Sequence, residues 1–355
     1  MVSTLIDPSY RRESGAAMPF LAADIGGTHA RVALVRHPLA AEPGRDLQML
    51  AYRTYRCADF PSLASLLRTF LDNQAHIPVR HGVLACAGQL SGDEVLNDNV
   101  PWPMQLTEVR QALGLADLAM LNDFEALGYA MDTCATRQAR LVCGPDVQGD
   151  GPVLVLGPGT GLGAALKLPA SAGGHVMATE VGQMDFASYS IREREIVAQL
   201  MPQGGYLPYE CIVSGPGLLN LYRALCALRG QTPGMDRPEA VSAAALDGGD
   251  SHAVEAVQVF CAALGSLAGS LAMAFMSVGG VYLAGGFLSA MFEQLRHSAF
   301  EERFLHGRSI RAFLSQIPVR VLEHGSGGVL GAARWYLTRM APAGTGSPLI
   351  ASDGT

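Results

Sequence analysis

One local pattern occurs twice in the chain, and that repeat restricts the possible folds more than any other feature. Phe20 to Val35 reads Phe-Leu-Ala-Ala-Asp-Ile-Gly-Gly-Thr-His-Ala-Arg-Val-Ala-Leu-Val. An apolar strand ends in Asp24, turns through Gly26-Gly27-Thr28, and a second strand follows from Ala30. Pro152 to Leu168, Pro-Val-Leu-Val-Leu-Gly-Pro-Gly-Thr-Gly-Leu-Gly-Ala-Ala-Leu-Lys-Leu, is again strand, Gly/Thr turn, strand. Because a strand follows Gly159-Thr160-Gly161-Leu162-Gly163, this is not a dinucleotide fingerprint, which requires a helix there. No Gly-x4-Gly-Lys-Ser/Thr occurs, so a P-loop is excluded as well. Glycine-rich turns leave backbone amides open to a phosphate, Thr28 and Arg31 add donors, and Asp24 suits a hard cation held through water. Either turn alone reads more simply as an ordinary hairpin; the duplication predicts two similar α/β lobes.

The chain has 355 residues, enough for two lobes. A net charge of -7 without any Lys/Arg block argues against a nucleic-acid partner. The cysteines, an odd 7, include no Cys-x-x-Cys pair, so neither a disulfide framework nor a zinc site is indicated, and a reducing cytoplasm is expected. Asp7, Arg11, Arg12 and Glu13 precede any apolar run, which is wrong for a signal peptide. Residues 1–18 and 342–355 read as a disordered leader and tail. Val259 to Leu288 carries no charge and contains Gly265-x3-Gly269, yet it breaks at Gly279-Gly280 and lacks basic flanks. The expectation is therefore a buried helix followed by a strand, with no membrane contact; packing within the subunit and packing at a homodimer interface both remain open.

Further motifs punctuate the chain. Pro61 to Asn73 has helical spacing, Gly82 to Ala87 is a strand, and Gly88 to Pro103 reads as a loop holding Asn97, Asp98, Asn99 and Trp102. Amides beside an indole suit a sugar ring, and also any surface turn. Leu118 to Leu121 is a strand and Phe124 begins a helix, with Asn122 and Asp123 between them. Asp123 is placed to act as a general base on a hydroxyl, while Asn122 and Glu125 equally fit a capping box. Glu210 precedes the apolar Cys211 to Val213, as either a ligand carboxylate or an exposed strand-edge residue. Ser214 with Pro216 starts a helix that ends before Gly230. Gly280 to Leu288 is strand, Gly285-Gly286, helix, which suits a flat base lying on bare backbone or a tight core crossing. Strand Val319 to Leu322 and helix Val329 to Arg339 close the fold.

Six stretches together resemble the bacterial ATP-dependent glucokinase family over residues 19–340. They are Asp-Ile-Gly-Gly-Thr-His-Ala-Arg (24–31), Leu-Asn-Asp-Phe (121–124), Gly-Pro-Gly-Thr-Gly-Leu-Gly (157–163), Glu-Val-Gly-Gln-Met-Asp-Phe (180–186), Glu-Cys-Ile-Val-Ser-Gly-Pro-Gly-Leu-Leu-Asn-Leu-Tyr-Arg (210–223) and Val-Tyr-Leu-Ala-Gly-Gly (281–286). The resemblance implies a two-lobed actin-like ATPase (ribonuclease H-like) α/β fold with the active-site cleft between lobes. It implies a small lobe at 19–133, completed by a C-terminal helix at 325–341, and a large lobe at 134–324. The implied reaction moves the ATP γ-phosphoryl group, with Mg2+, to glucose or a related hexose in glycolysis, with Asp123 as general base. Asn99, Asn122, Glu180, Gln183 and Glu210 resemble the sugar ligands. Gly26, Gly27, Thr28, Gly159, Thr160 and Gly161 resemble the phosphate loops, and Gly285 and Gly286 lie by the adenosine. Two positions depart from the family: His29 replaces the usual Asn, and Gln183 replaces the His of Glu-Gly-Gly-His. Gln183 leaves room for a kinase of another hexose or amino sugar, or for a sugar-sensing regulator with weakened chemistry. With that His and a Cys-rich loop missing, no structural zinc is expected.

Overall fold

The computed structural model describes residues 18–37, 47–74, 77–96, 100–133, 136, 138–147, 149–323 and 325–340. The tail 342–355, residues 1–17 of the expected leader, and Asn97, Asp98 and Asn99 lie outside these. The chain divides into two units, Met1–Leu121 with Val329–Thr355, and Asn122–Gly328.

The first unit is organised on a sheet of order β3-β2-β1-β4-β8, from β1 (Phe20–Ile25), β2 (His29–Arg36), β3 (Gln48–Arg56), β4 (His81–Cys86) and β8 (Asp117–Asn122). β1 pairs antiparallel with β2 and parallel with β4, and β2 pairs antiparallel with β3. As the central strand β1 is buried on both faces, which explains its unbroken apolar run. Helix α1 (Leu63–Asp72) begins where the Ser62 side chain accepts from Ser65 N–H, and it turns Leu63, Leu66, Leu67 and Phe70 into the core. Each such side chain stabilises the fold by about 1.5–3 kcal/mol. The stretch expected as a loop, Gly88 to Pro103, instead contributes to a small sheet of β5 (Gln89–Ser91), β6 (Glu94–Leu96) and β7 (Met104–Gln105), ahead of α2 (Leu106–Leu113). Trp102 is buried there and donates its indole N–H to the Phe60 carbonyl at 2.8 Å, so its ring belongs to the core.

In the second unit a sheet of order β12-β11-β10-β13-β14-β9 is built from β9 (Arg140–Cys143), β10 (Val153–Pro158), β11 (Leu162–Lys167), β12 (Val176–Thr179), β13 (Gly280–Leu283) and β14 (Val319–Val321). β10 pairs antiparallel with β11 and parallel with β13, and β11 pairs antiparallel with β12. This is the arrangement of β3-β2-β1-β4, so the repeated sequence pattern corresponds to a repeated strand topology. The third strands, β3 and β12, were not identified from sequence: each holds only a short apolar stretch, Met49 to Tyr52 and Val176 to Ala178, and none of their residues is fully buried.

The helices of this unit are α3 (Asp123–Ala130), α4 (Ile191–Leu200), α5 (Gly215–Leu228), α6 (Pro238–Leu246), α7 (Ser251–Ala274), α8 (Gly286–Ala290), α9 (Phe292–His297), α10 (Phe300–Phe304) and α11 (Arg311–Leu314). α7 is long and apolar enough to cross a bilayer by length and composition, but it is mostly buried within its own unit. Its two spaced glycines account for much of that packing. A Cβ on Gly265 would fall 2.3 Å from the Phe300 carbonyl oxygen, and one on Gly269 would fall 2.4 Å from that of Phe304. The small residues therefore admit the α10 backbone inside the subunit. A buried ion pair, Arg303 to Glu193 at 2.6 Å, adds a polar tie, with Arg303 Nε donating to Ser266 Oγ at 2.8 Å.

The division between units falls at Leu121/Asn122, whereas the expected lobe boundary was Thr133. The intervening helix α3 packs on β10, β11 and β12. From Val329 onward the last helix, α12 (Gly327–Met340), groups with the first unit, where the Tyr336 hydroxyl donates to Asp117 Oδ2 at 3.2 Å and lies 3.1 Å from His81 Nδ1.

Candidate active site

Asn122 and Asp123 sit where β8 runs into α3. Asn122 Oδ1 accepts the N–H groups of Phe124 at 2.9 Å and Glu125 at 3.1 Å, so its side-chain oxygen caps the helix. Any contact that Asn122 makes to a ligand must then come from its amide hydrogens. Asp123 Oδ1 accepts from Phe124 N–H at 2.9 Å, which orients the carboxylate in the first turn, where the helix dipole favours negative charge.

Phe124 ties this helix start to the second Gly/Thr hairpin. A Cβ on Gly163 would fall 2.1 Å from Phe124 Cδ2, so the ring rests on the bare backbone of β11. Further along α3, a Cβ on Gly128 would fall 2.5 Å from Val176 Cγ1 of β12. Two glycines thus let α3 lie close to the hairpin, a packing role that the sequence motifs holding Phe124 and Gly163 did not reveal. A glycine within a strand, which commonly marks close backbone approach, was the available signal.

The β10–β11 turn exposes Gly159 and Thr160. Gly159 N–H donates to the Gly161 carbonyl at 2.8 Å, and the Gly159 carbonyl accepts from Gly215 N–H at 2.8 Å. The start of α5 therefore braces the turn and brings a helix N-terminus to it, an arrangement suited to phosphate. Ser214 supports α5 as expected, accepting from Gly217 N–H at 2.9 Å, and its hydroxyl donates to the Glu210 carbonyl at 2.6 Å.

Gln183 and Glu210 lie on two 3-10 turns of the same unit, Val181–Gln183 and Tyr209–Cys211, and Glu180 immediately precedes the first. Glu210 is thus on a turn and not at a strand edge. A Cβ on Gly182 would fall 2.3 Å from the Leu162 carbonyl oxygen, which seats the first turn against the start of β11. Tyr209 N–H donates to the Met184 carbonyl at 2.9 Å, joining the two turns. Gln183 Nε2 donates to Glu210 Oε1 at 2.7 Å, and Glu210 Oε2 lies 3.1 Å from where a Cβ on Gly161 would be. Glu180 and Gln183 are exposed and Glu210 is half-buried.

Between β13 and α8, Gly285 has φ +124° and a Cβ there would fall 2.6 Å from the Pro158 carbonyl oxygen. Backbone conformation and a tight crossing therefore explain this glycine, while Gly286 is exposed.

In the first unit Arg31 Nη1 lies 3.2 Å from Asp24 Oδ2. Burial pushes the Asp24 carboxyl upward, against the smaller downward pull of the Arg31 guanidinium. The Gly26–Thr28 turn is held by Cys57, whose N–H donates to the Thr28 carbonyl at 2.9 Å and whose thiol donates to the Gly26 carbonyl at 3.3 Å. Cys57 was not singled out from sequence. Among the described residues no group of three or more His, Cys, Asp or Glu is arranged to hold a metal ion. Asn99 lies outside the described residues.

A profile of the family described as Glucokinase matches residues 21–339. A glucokinase-like protein of Xylella fastidiosa strain 9a5c is 44% identical over 336 residues, 94% of this chain and 99% of its own length. The glucokinase of Chromobacterium violaceum is 36% identical, covering 94% of each chain. The crystal structure of a glucokinase from an Antarctic psychrotroph superposes with a TM-score of 0.78 at 30% identity, covering 90% of this chain and 99% of that one. The fold is the actin-like ATPase fold.

Proposed function

The chain belongs to the glucokinase family, and from that premise we propose that it transfers the γ-phosphoryl group of ATP to the 6-hydroxyl of glucose, as a cytoplasmic step of glycolysis. One observation carries the assignment of Asp123. The Phe124 ring on Gly163 fixes the start of α3, and with it Asp123, to the hairpin whose turn Gly159-Thr160-Gly161 is suited to phosphate. A sugar hydroxyl is almost fully protonated near neutral pH, so a carboxylate within hydrogen-bond reach must take its proton as transfer proceeds. Asp123 takes that role.

The sugar is held by Glu180 and Glu210 as acceptors, by Asn122 through its amide hydrogens, and by Asn99. Gly159, Thr160, Gly161 and the α5 N-terminus receive phosphate oxygens, and Gly286 lies against the nucleoside with Gly285 behind it. In the first unit Gly26, Gly27, Thr28 and Arg31 are assigned to the nucleotide phosphates. Asp24, a single partly exposed carboxylate at the end of β1, fits a Mg2+ ion bound mainly by phosphate oxygens and water, whose charge would offset that of the transferred group.

ATP consumption by the purified protein against a panel of hexoses and amino sugars, compared with Asp123→Asn, tests the reading. Glucose should be the preferred acceptor, and the variant should bind it nearly normally while turning over at least ~100-fold more slowly. Equal rates would remove Asp123 from its role. Sugar binding without turnover in the unmodified protein would indicate a sugar-sensing regulator instead.

A further inference from the structure

We infer that Gln183 is the positioning residue for the sugar-binding carboxylate of Glu210, an inference that rests on the sugar-site assignment above. Gln183 is exposed, yet both of its backbone groups are engaged. Its N–H donates to the Glu180 carbonyl at 3.0 Å, and its carbonyl accepts from the Tyr206 hydroxyl. From this anchored backbone its side-chain amide donates to Glu210 Oε1 at 2.7 Å. Glu210 is anchored too, because its carbonyl accepts from Ser214 Oγ at 2.6 Å. With Oε1 held, the carboxylate cannot rotate about its last bond without losing a charge-assisted hydrogen bond, so Oε2 stays on the Gly161 side.

The chemistry favours an amide at this position. A carboxylate offers about four lone-pair sites, and a single amide donor fills one of them without neutralising the charge. The full negative charge then remains for hydroxyl donors, and two oxygens held in a fixed plane match an adjacent pair of ring hydroxyls. A cationic partner would orient the same group but weaken it as an acceptor. Gln183 thus sets sugar affinity through Glu210 and contributes little to the transfer step.

Sugar KM and kcat, with sugar binding by calorimetry in the absence of ATP, are to be measured for Gln183→Ala, Gln183→Glu, Gln183→His and Glu210→Gln. Gln183→Ala should raise KM and Kd roughly 10-fold, the scale of one hydrogen bond to a charged group, with kcat falling less than ~3-fold. Gln183→Glu keeps size and shape but replaces the donor by a second carboxylate, and should weaken binding further. Gln183→His retains a donor and should recover most of the affinity. Unchanged affinity in Gln183→Ala and Gln183→Glu, alongside weakened binding in Glu210→Gln, overturns the positioning role and leaves the sugar site standing. Unchanged affinity in Glu210→Gln removes the sugar-site assignment and the inference with it.

Discussion

Gly182 and Leu162 approach so closely that one methyl group would part them, since a Cβ on Gly182 would fall 2.3 Å from the Leu162 carbonyl oxygen. The contact joins the turn bearing Gln183 to the first residue of β11, immediately after Gly159-Thr160-Gly161. Backbone cannot yield as a flexible side chain can. Gly182→Ala should therefore destabilise the protein by about 1–3 kcal/mol and raise the sugar KM as the turn is displaced. Urea unfolding and steady-state kinetics check both; a variant with normal stability and KM would show that the turn does not need this contact.

The Phe124 ring on Gly163 makes a second, separable prediction. Gly163→Ala places a methyl group inside the ring, 2.1 Å from Cδ2, and must shift the start of α3. Displacement of a catalytic group by an ångström commonly costs on the order of 100-fold in rate, so kcat should drop by about 10- to 100-fold. Phe124→Ala removes the obstacle. The double variant should be less impaired than the sum of the singles, with a coupling of at least ~0.5 kcal/mol. Strict additivity would mean that the two residues do not act through one another.

Asn122 carries two roles that different substitutions separate. Asn122→Ala removes the cap on Phe124 and Glu125 and should cost about 0.5–2 kcal/mol of stability. Asn122→Asp keeps the cap oxygen but deletes the amide hydrogens, so stability should be largely retained while the sugar KM rises. A normal KM in Asn122→Asp would leave Asn122 as a helix cap and nothing more.

Asp24 links stability to pH. Its folded-state pKa is raised by burial, with Arg31 only partly opposing, so the folded chain binds this proton more tightly than the unfolded chain. The stability it contributes is present below the ordinary carboxylate range and is lost as pH rises through the folded pKa. Asp24→Asn cannot ionise and should lose less stability than wild type between acidic and neutral pH. Arg31→Met should steepen the loss. Urea midpoints across that range test the sign, and a wild-type curve parallel to that of Asp24→Asn would contradict it.

Much of this protein was legible in its sequence because the informative signals are local. Two apolar runs broken by Gly/Thr turns specify β1–β2 and β10–β11, and Ser214 with Pro216 specifies the start of α5. Local signals of that kind cannot reveal what depends on contacts across the chain. The apolar stretches of β3 and β12 are short and none of their residues is fully buried, so only pairing with β2 and β11 identifies them as strands. The loop of Trp102 was open between a sugar contact and a surface turn, and only the Phe60 carbonyl shows where its N–H is used. Asn122 was open between cap and ligand until its oxygen was placed on two backbone donors.

The sequence by itself determined the duplicated sheet plan, the apolar core helix and the residue types available for chemistry. Tertiary structure decided which of those residues cooperate. Gln183 and Glu210 are distant in the chain, and so are Phe124 and Gly163; whether they touch depends on how turns and helices pack, which no local pattern encodes. Close approach at glycine and hydrogen-bond geometry are properties of the packed backbone, and they turn a row of plausible residues into an ordered site.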